Sequence, residues 1–600
     1  MASAGRKMKT SEQKLLTLLE SREMTFVIPP FQRNYSWMQD QCDVFLNDVC
    51  KTANENKFGN VYEHYFGFIT HYMHPSSTFG KPSMLVLIDG QQRITTCMLC
   101  LAAIRDLIED EDKKCLINSR YLKNERVGGG DMSLKVKLKQ TDQDWEPYKK
   151  IILSVPLSEL EKNSYIYKNY KFFIKKLSAL KGDGVDLFEL IEKGMNNFRV
   201  VILELEPFSK SYENPQEIYE SMNSIGKPLS FADLVRNYIL LETDPDTQNT
   251  LYYNYWVTME RTLKGGENVS DFLRDYMQAD KYCSYNKPTD KNAKTLYYQF
   301  KEEYSVKTDD EKKELLSDLL DYAKIYSIIL NGDDSGCKLL DKELSEIRTL
   351  KWSVVYSFLL SLLHSWKDGD FSDSEICEIV NVLKIYFLRR RIVDLHMNEN
   401  KVIPTLSAEI DSLVEATNKR QKMFEILASQ SNSLRIPNDF ELMHNLEAKN
   451  FYELGGKGRY SKFYLKLIEE KLIDKGKVPD DDHSIQVEHI MPQTLTDSWK
   501  RALGPDYEKV HSMWVNNIGN LTLIRHNQEL GNKDFDKKKQ VYESQEGFQI
   551  SRQHIVDQEA WNEESIKARS EWIIRYLVEK VLPIPDKMKE ANNFNPNLKL

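Results

Sequence analysis

The chain has 600 residues, more than one hydrophobic core normally serves, and its 41% apolar content is that of a folded protein of two to four domains. A net charge of −9 speaks against a protein that coats DNA without specificity, although a nuclease stays open because binding depends on local basic surface. No stretch approaches the roughly 20 apolar residues of a membrane span, "MASAGRKMKTSEQ" at the start lacks the apolar run of a secretion signal, and eight scattered cysteines suit a reducing compartment. A cytoplasmic protein without a membrane partner is expected.

In chain order, residues 1–240 alternate β-prone runs (Thr25–Ile28, Leu85–Ile88, Phe198–Leu205) with helical patterns, which predicts an α/β domain. The first run leads into "VIPPFQRNYSW" (Val27–Trp37), where Gln, Arg and Asn gather beside aromatics. The second is Met84–Ile88, followed by the turn signal Asp89-Gly90 and then by helical spacing from Gln91 onward. The first N–H groups of a helix lack partners and its dipole favours negative charge, so this corner suits an anion, with Arg93 adding a bidentate fork for a phosphate. The plain alternative is that Asp89 caps the helix and Arg93 stands in solvent. Cys97 and Cys100 form a C-x-x-C, but inside the helical pattern, which predicts core packing. Gly128–Asp131 reads as a loop before the strand-like "SLKVKLKQT". A third polar stretch, "IYESMNSIGKPLSFADLVRNYIL", covers Ile218–Leu240. No G-x-x-x-x-G-K-[ST] occurs, so a P-loop motor is not expected.

Residues 241–440 are overwhelmingly helical in pattern, as in "KWSVVYSFLLSLLHSW" and "EICEIVNVLKIYFLRRRIV". Arg389–Arg391 form one of two local basic places; the other is Lys533–Lys539. Each reads as nucleic-acid surface or simply as a solvated helix face. "DKGKVPDDDHS" predicts an exposed link into the last module.

There "SIQVEHIMPQTL" carries a short β-prone run into Glu488-His489, with Pro492 following, and Asn520 comes 31 positions after His489 (520 − 489). It stands in "NNIGNLTLIRHNQELGNKDFDKKK", which continues as a strand-like "LTLI", polar residues and a Lys-rich helix. Cleaving a phosphodiester needs a base to activate water and a cation to stabilise the crowded phosphate and the leaving oxygen. A neutral imidazole suits the first role near pH 7, and hard oxygens from Glu and Asn suit Mg²⁺.

This order of a carboxylate and His on a strand, a turn with Asn, a second strand and a Lys-rich helix closely resembles the ββα-metal (HNH) nucleases. The resemblance implies His489 as general base, Asn520 as the residue holding its loop, and Glu488 as a ligand of Mg²⁺ or Mn²⁺. Where the family has its final His, this chain offers His526-Asn527; Asn527 is preferred as the second ligand, with His526 as the alternative. Lys533, Lys537 and Lys538 are then expected to meet DNA.

The stretches Val27–Trp37 and Leu87–Thr96 resemble the ParB/sulfiredoxin-like domain that opens the GmrSD-type modification-dependent restriction enzymes. Asn223, Gly226, Leu229, Asp233 and Asn237 resemble that family's second signature, so the likeness spans nearly the whole chain. It implies a nucleotide site built from Gln32, Arg33, Asp89, Gly90, Gln91, Gln92, Arg93, Thr95 and Asn223, taking a nucleoside triphosphate (GTP, UTP or ATP). The expected architecture is an α+β multidomain protein: a ParB/sulfiredoxin-like α/β sensor domain (1–240), an all-α connector (241–440) and an HNH domain in a helical setting (441–600). The expected activity is Mg-dependent cleavage of double-stranded, modified phage DNA in antiviral defence, with NTP hydrolysis as regulation; a homo-oligomer is compatible with it. The rival expectation is a ParB-like, nucleotide-dependent DNA-binding regulator whose HNH module is structural.

Overall fold

The computed structural model describes residues 9–21, 24–57, 61–73, 83–124, 135–205, 229–240, 243, 245–282, 284–395, 399–454, 459–473, 484–525, 530–543 and 548–589. The chain is a multidomain α/β protein in which helix predominates. Its backbone contacts divide it into two compact units, one of residues 1–274 and 286–321, the other of 275–285 and 322–600.

The first unit is organised by a six-stranded sheet, β1 (Lys9–Lys14), β2 (Met24–Val27), β3 (His64–Met73), β4 (Ser83–Asp89), β5 (Leu138–Lys139) and β6 (Phe198–Leu205), in the order β1-β6-β3-β4-β2-β5. β4, β2 and β5 run parallel, whereas β3 is antiparallel to β4 and β1 to β6. Leu85 and Leu87 of β4 point into a core shared with helix α1 (Gln91–Leu107), which starts one residue after the strand. From Gln91 to Arg105 this helix is buried everywhere except at Arg93, as expected of a helix enclosed on all sides. Cys97 and Cys100 are fully buried in it, and burial pushes both thiols up. They are core residues.

The run "SLKVKLKQT" pairs less than its alternation suggests. Among the described residues only Leu138–Lys139 forms a strand with β2, and Val136 makes a single bridge to Lys123.

In the second unit, a two-stranded antiparallel sheet joins β7 (Ile485–His489) to β8 (Leu521–Arg525), with Glu488 opposite Thr522 and His489 opposite Leu521. Helices α2 (Asp373–Ile392), α3 (Phe535–Glu543) and α4 (Glu563–Tyr576) belong to the same unit. Two of the three arginines in the basic run on α2, Arg389 and Arg390, lie on neither of the surfaces expected of them, whereas Arg391 is half-buried. Arg389 is fully enclosed, donating to the carbonyls of Pro437 (2.9 Å) and Leu582 (2.6 Å) and to Asp439 (2.7 Å), and Arg390 is buried against the Ser433 carbonyl (2.5 Å). A guanidinium can enter a core only when carbonyls, or carbonyls and a carboxylate, take up its donors.

Candidate functional site

β7 ends on His489, and the residues after it are fastened to the start of β8. Asn520, fully buried, accepts from the Met491 N–H (2.7 Å) and the Trp561 indole (3.0 Å), and donates to the carbonyls of Met491 and Val515 (2.9 Å each). The Ile490 N–H donates to the Asn520 carbonyl (3.0 Å), so the chain after the histidine is tied by three hydrogen bonds to one residue. Beneath it, Gly519 packs so close to α4 that a Cβ there would lie 2.4 Å from the Ile566 carbonyl oxygen. Arg569 of α4 is fully buried and donates to the carbonyls of Gly519 (2.7 Å), Leu521 (2.8 Å) and Ile550 (3.0 Å). The "NIGN" turn is therefore a rigid mount.

On that mount His489 lies 3.1 Å, through Nε2, from Asn516 Oδ1 and meets the ring of Tyr452 edge-on, centroids 4.5 Å apart. With Asn516 accepting, Nε2 carries the proton and Nδ1 keeps its lone pair. Burial, reinforced by the charges of Lys538 and His511 and opposed by the Asn516 bond, brings the imidazole down to about 4. It is neutral at physiological pH.

Glu488, one residue earlier, is buried, and its Oε1 accepts from Lys538 Nζ at 2.6 Å. The same ammonium donates to the main-chain oxygen of His489 at 2.7 Å. Burial lowers the lysine's pKa, with Glu488 opposing. The expectation that Lys538 faces DNA is thus corrected: it is fully enclosed, whereas Lys533 and Lys537 are exposed. On α3 only one of the three consecutive lysines 537–539 can point at β7, and packing selects Lys538. His526 and Asn527 lie outside the described residues. Among those described, no group of three His, Cys, Asp or Glu side chains is placed to hold a metal.

In the first unit, the ends of the parallel strands β2, β4 and β5 bring three loops together. Gly90 takes φ +96°, and a Cβ there would press on Ile69 Cγ1 (3.1 Å) and the Phe68 carbonyl (3.2 Å), so the corner into α1 requires glycine. No side chain caps α1; Asp89 instead pairs with Arg93 (2.7 Å), whose Nη2 also donates to the Phe68 carbonyl (2.6 Å). Neither half of the plain alternative holds, since Asp89 does not cap and Arg93 is mostly buried.

The amides expected to line this corner turn inward. Gln91 donates to Gln32 Oε1 (3.3 Å), Gln32 to the Ile88 carbonyl (3.4 Å), and Gln92 ties Ser36 N–H (2.9 Å) and the Asn34 carbonyl (3.1 Å). Thr95 is buried beneath Gln140 (2.8 Å). The three glutamines hold the 29–37 loop to α1 and Thr95 holds Gln140 to it, a correction to their expected place on the corner's lining: buried polar groups must find partners, and one another are the nearest. Arg33 is half-buried on that loop, and Asn223 lies outside the described residues.

Beside the corner, a cleft of about 240 Å³ opens on the sheet face opposite α1, floored by Val27, Met84 and Val86 and rimmed by Lys139 and Tyr253. Tyr253 donates to Asp142 across it. Sequence reasoning missed this cleft, and also Asp144, which accepts the Tyr35 N–H (2.5 Å) and is raised by burial to about 6.

Two family models match the chain. Residues 15–240 match the N-terminal domain of the GmrSD restriction endonucleases, and residues 436–576 match their C-terminal domain. The chain belongs to the GmrSD-type restriction endonucleases. DNA is accordingly its substrate. The C-terminal GmrSD match contains the whole β7–β8 mount with Glu488, His489, Asn516, Asn520 and Lys538, and the N-terminal match contains the Asp89–Arg93 corner. No curated protein matches the chain.

Asn516 and Tyr452 were also missed. Asn516 could have been found, because it stands in the same "NNIGN" as Asn520; Tyr452 carries no local signal and reaches the site through the Phe451 N–H to Asn516 carbonyl bond (2.9 Å).

Proposed function

We propose that this protein is a cytoplasmic defence nuclease that hydrolyses foreign, modified double-stranded DNA at an HNH-type site, regulated by a nucleoside triphosphate held in a ParB/sulfiredoxin-like N-terminal domain. The observation that carries the reading is His489, a neutral imidazole on a rigid strand end, with Nε2 engaged by Asn516 and Nδ1 left to accept a proton.

In this reading His489 takes the proton of the attacking water at Nδ1, Asn516 fixes the ring and its tautomer, and Asn520 fixes the backbone that carries them. Tyr452 shelters the ring edge. The donors at Glu488 are hard oxygens of the class that Mg²⁺ or Mn²⁺ takes, which supports Glu488 with Asn527 (or His526) as the residues that would hold such an ion. When bound, the ion supplies charge stabilisation of the phosphate and leaving oxygen. Lys533 and Lys537, exposed at the start of α3 and just before it, are placed to meet phosphates.

At the N-terminal corner, an α1 start with no side-chain cap, at the carboxyl ends of parallel strands, supports binding of a nucleotide phosphate. Arg93 would share its fork between Asp89 and that phosphate.

The test is nicking of supercoiled plasmid, modified and unmodified, by the full chain with Mg²⁺ and each triphosphate. His489→Ala should lose roughly 10²–10⁴-fold in rate, the usual worth of a general base, with DNA affinity kept. Near-wild-type nicking by this variant removes His489 from the role.

A further inference from the structure

Two hard oxygens, Glu488 Oε1 and the main-chain oxygen of His489, converge on one cationic centre, the Nζ of Lys538, at 2.6 and 2.7 Å. The centre is bonded to the main chain of the candidate base and is closed to solvent. One turn along α3, Tyr542 is fully buried with a hydroxyl that has no hydrogen-bond partner among the described residues, and it is near enough to Glu488 for the carboxylate to add to the effect of burial on its phenol. The Glu488 carboxylate is therefore already neutralised, and from inside the fold.

We propose that Lys538 is the resident cation of this site: a positioning residue whose ammonium occupies the point at which Glu488 and the His489 carbonyl would otherwise take a divalent ion, so that lysine and ion exclude one another. This rests on the reading of Glu488 as a metal donor. Mg²⁺ bonds carboxylate oxygen at about 2.0–2.1 Å, which would bring it within a few ångströms of an ammonium that hydrogen-bonds the same atom. Like charges at that separation repel strongly in an enclosed site. A compact ammonium fits two oxygens at one point, which the planar fork of arginine does not. The lysine thus holds Glu488 and the end of β7 in place without an ion and sets how weakly the site accepts one.

Calorimetric titration of the full chain with Mn²⁺ alone tests this. Lys538→Gln removes the ammonium from the carboxylate and should bind Mn²⁺ at least about tenfold more tightly than wild type. The gain should vanish in Glu488→Gln/Lys538→Gln. Unchanged or weaker binding by folded Lys538→Gln, or a gain that survives in the double variant, overturns the proposal. A second measurement needs no variant: amine labelling of the wild-type chain, read by peptide mass, should spare Lys538 without Mn²⁺ and modify it at the Mn²⁺ concentration that saturates the calorimetry. Protection that persists at saturation overturns the proposal too. Neither readout depends on cleavage, so loss of the nuclease reading through His489→Ala is separately visible.

Discussion

His489 and Asp144 show how the same force, removal from water, sets opposite charge states. Desolvation always opposes the ionised form, so it lowers an imidazole and raises a carboxyl. At His489 the result is a ring that stays neutral at physiological pH. At Asp144 the folded carboxyl titrates near 6 against an ordinary 3.8, even though the Tyr35 N–H and the Thr141 side chain favour its charge. The sign comes from linkage: a carboxyl raised in the folded state contributes stability that is fully present below about pH 4 and is lost as pH rises to about 6, on the order of 3 kcal/mol in all. Asp144→Asn keeps an acceptor for the Tyr35 N–H and removes the titration. Urea unfolding between pH 4 and 7 should show that contribution in the wild type and not in the variant; parallel profiles would contradict the assignment.

The elements that build the two sites are short and held from outside themselves. β7 and β8 are five residues each, too little for an independent hairpin, and their shape comes from Asn520, Gly519 and the carbonyl-binding Arg569. α1 is the reverse case, a long helix whose start is dictated by one residue. Gly90→Ala would place a Cβ at positive φ against Ile69 and the Phe68 carbonyl, and should destabilise the N-terminal unit by at least about 2 kcal/mol. A thermal melt that monitors the N-terminal unit checks this. An unchanged midpoint would mean the corner can relax, and with it its close approach to β3.

Across the whole molecule, the N-terminal corner and the β7–β8 mount fall in different compact units, and each unit contains one of the two family matches. The sequence contains neither N-P-P-Y nor D-P-P-Y, the signatures of an amino-methyltransferase that would protect host DNA. A nuclease licensed only by foreign modification needs none. Cells expressing the protein should therefore restrict a phage with modified bases and plate an isogenic phage lacking the modification at full efficiency. Equal restriction of both, or toxicity without phage, would instead point to a separate modifying partner. Among the described residues no helix is long and apolar enough to cross a membrane.

What the sequence determined by itself was local. Phe198–Leu205 and the strands ending at Val27, Asp89, His489 and Arg525 were legible because alternating or continuous apolar runs stop at Pro, Gly or Asn. So were the Asp89–Arg93 corner and the pairing of Glu488-His489 with a later Asn520, because their residue types and spacing express chemistry directly. Lys9–Lys14 was not legible: it is a polar edge strand whose conformation comes from pairing with β6, almost 200 residues away. Tertiary structure alone decided which charges go inside. Neighbouring residues on a helix look alike in sequence, yet Lys538 is walled in on Glu488 while Lys537 meets solvent, and Arg389 fills a pocket of carbonyls contributed from Pro437 to Leu582. The same holds for Gln32 with Gln91, and for His489 with Asn516 and Tyr452. A polar side chain's partner is chosen by whichever distant segment packs against it, and burial makes that choice compulsory, because a buried polar group without a partner costs more than any local preference can return.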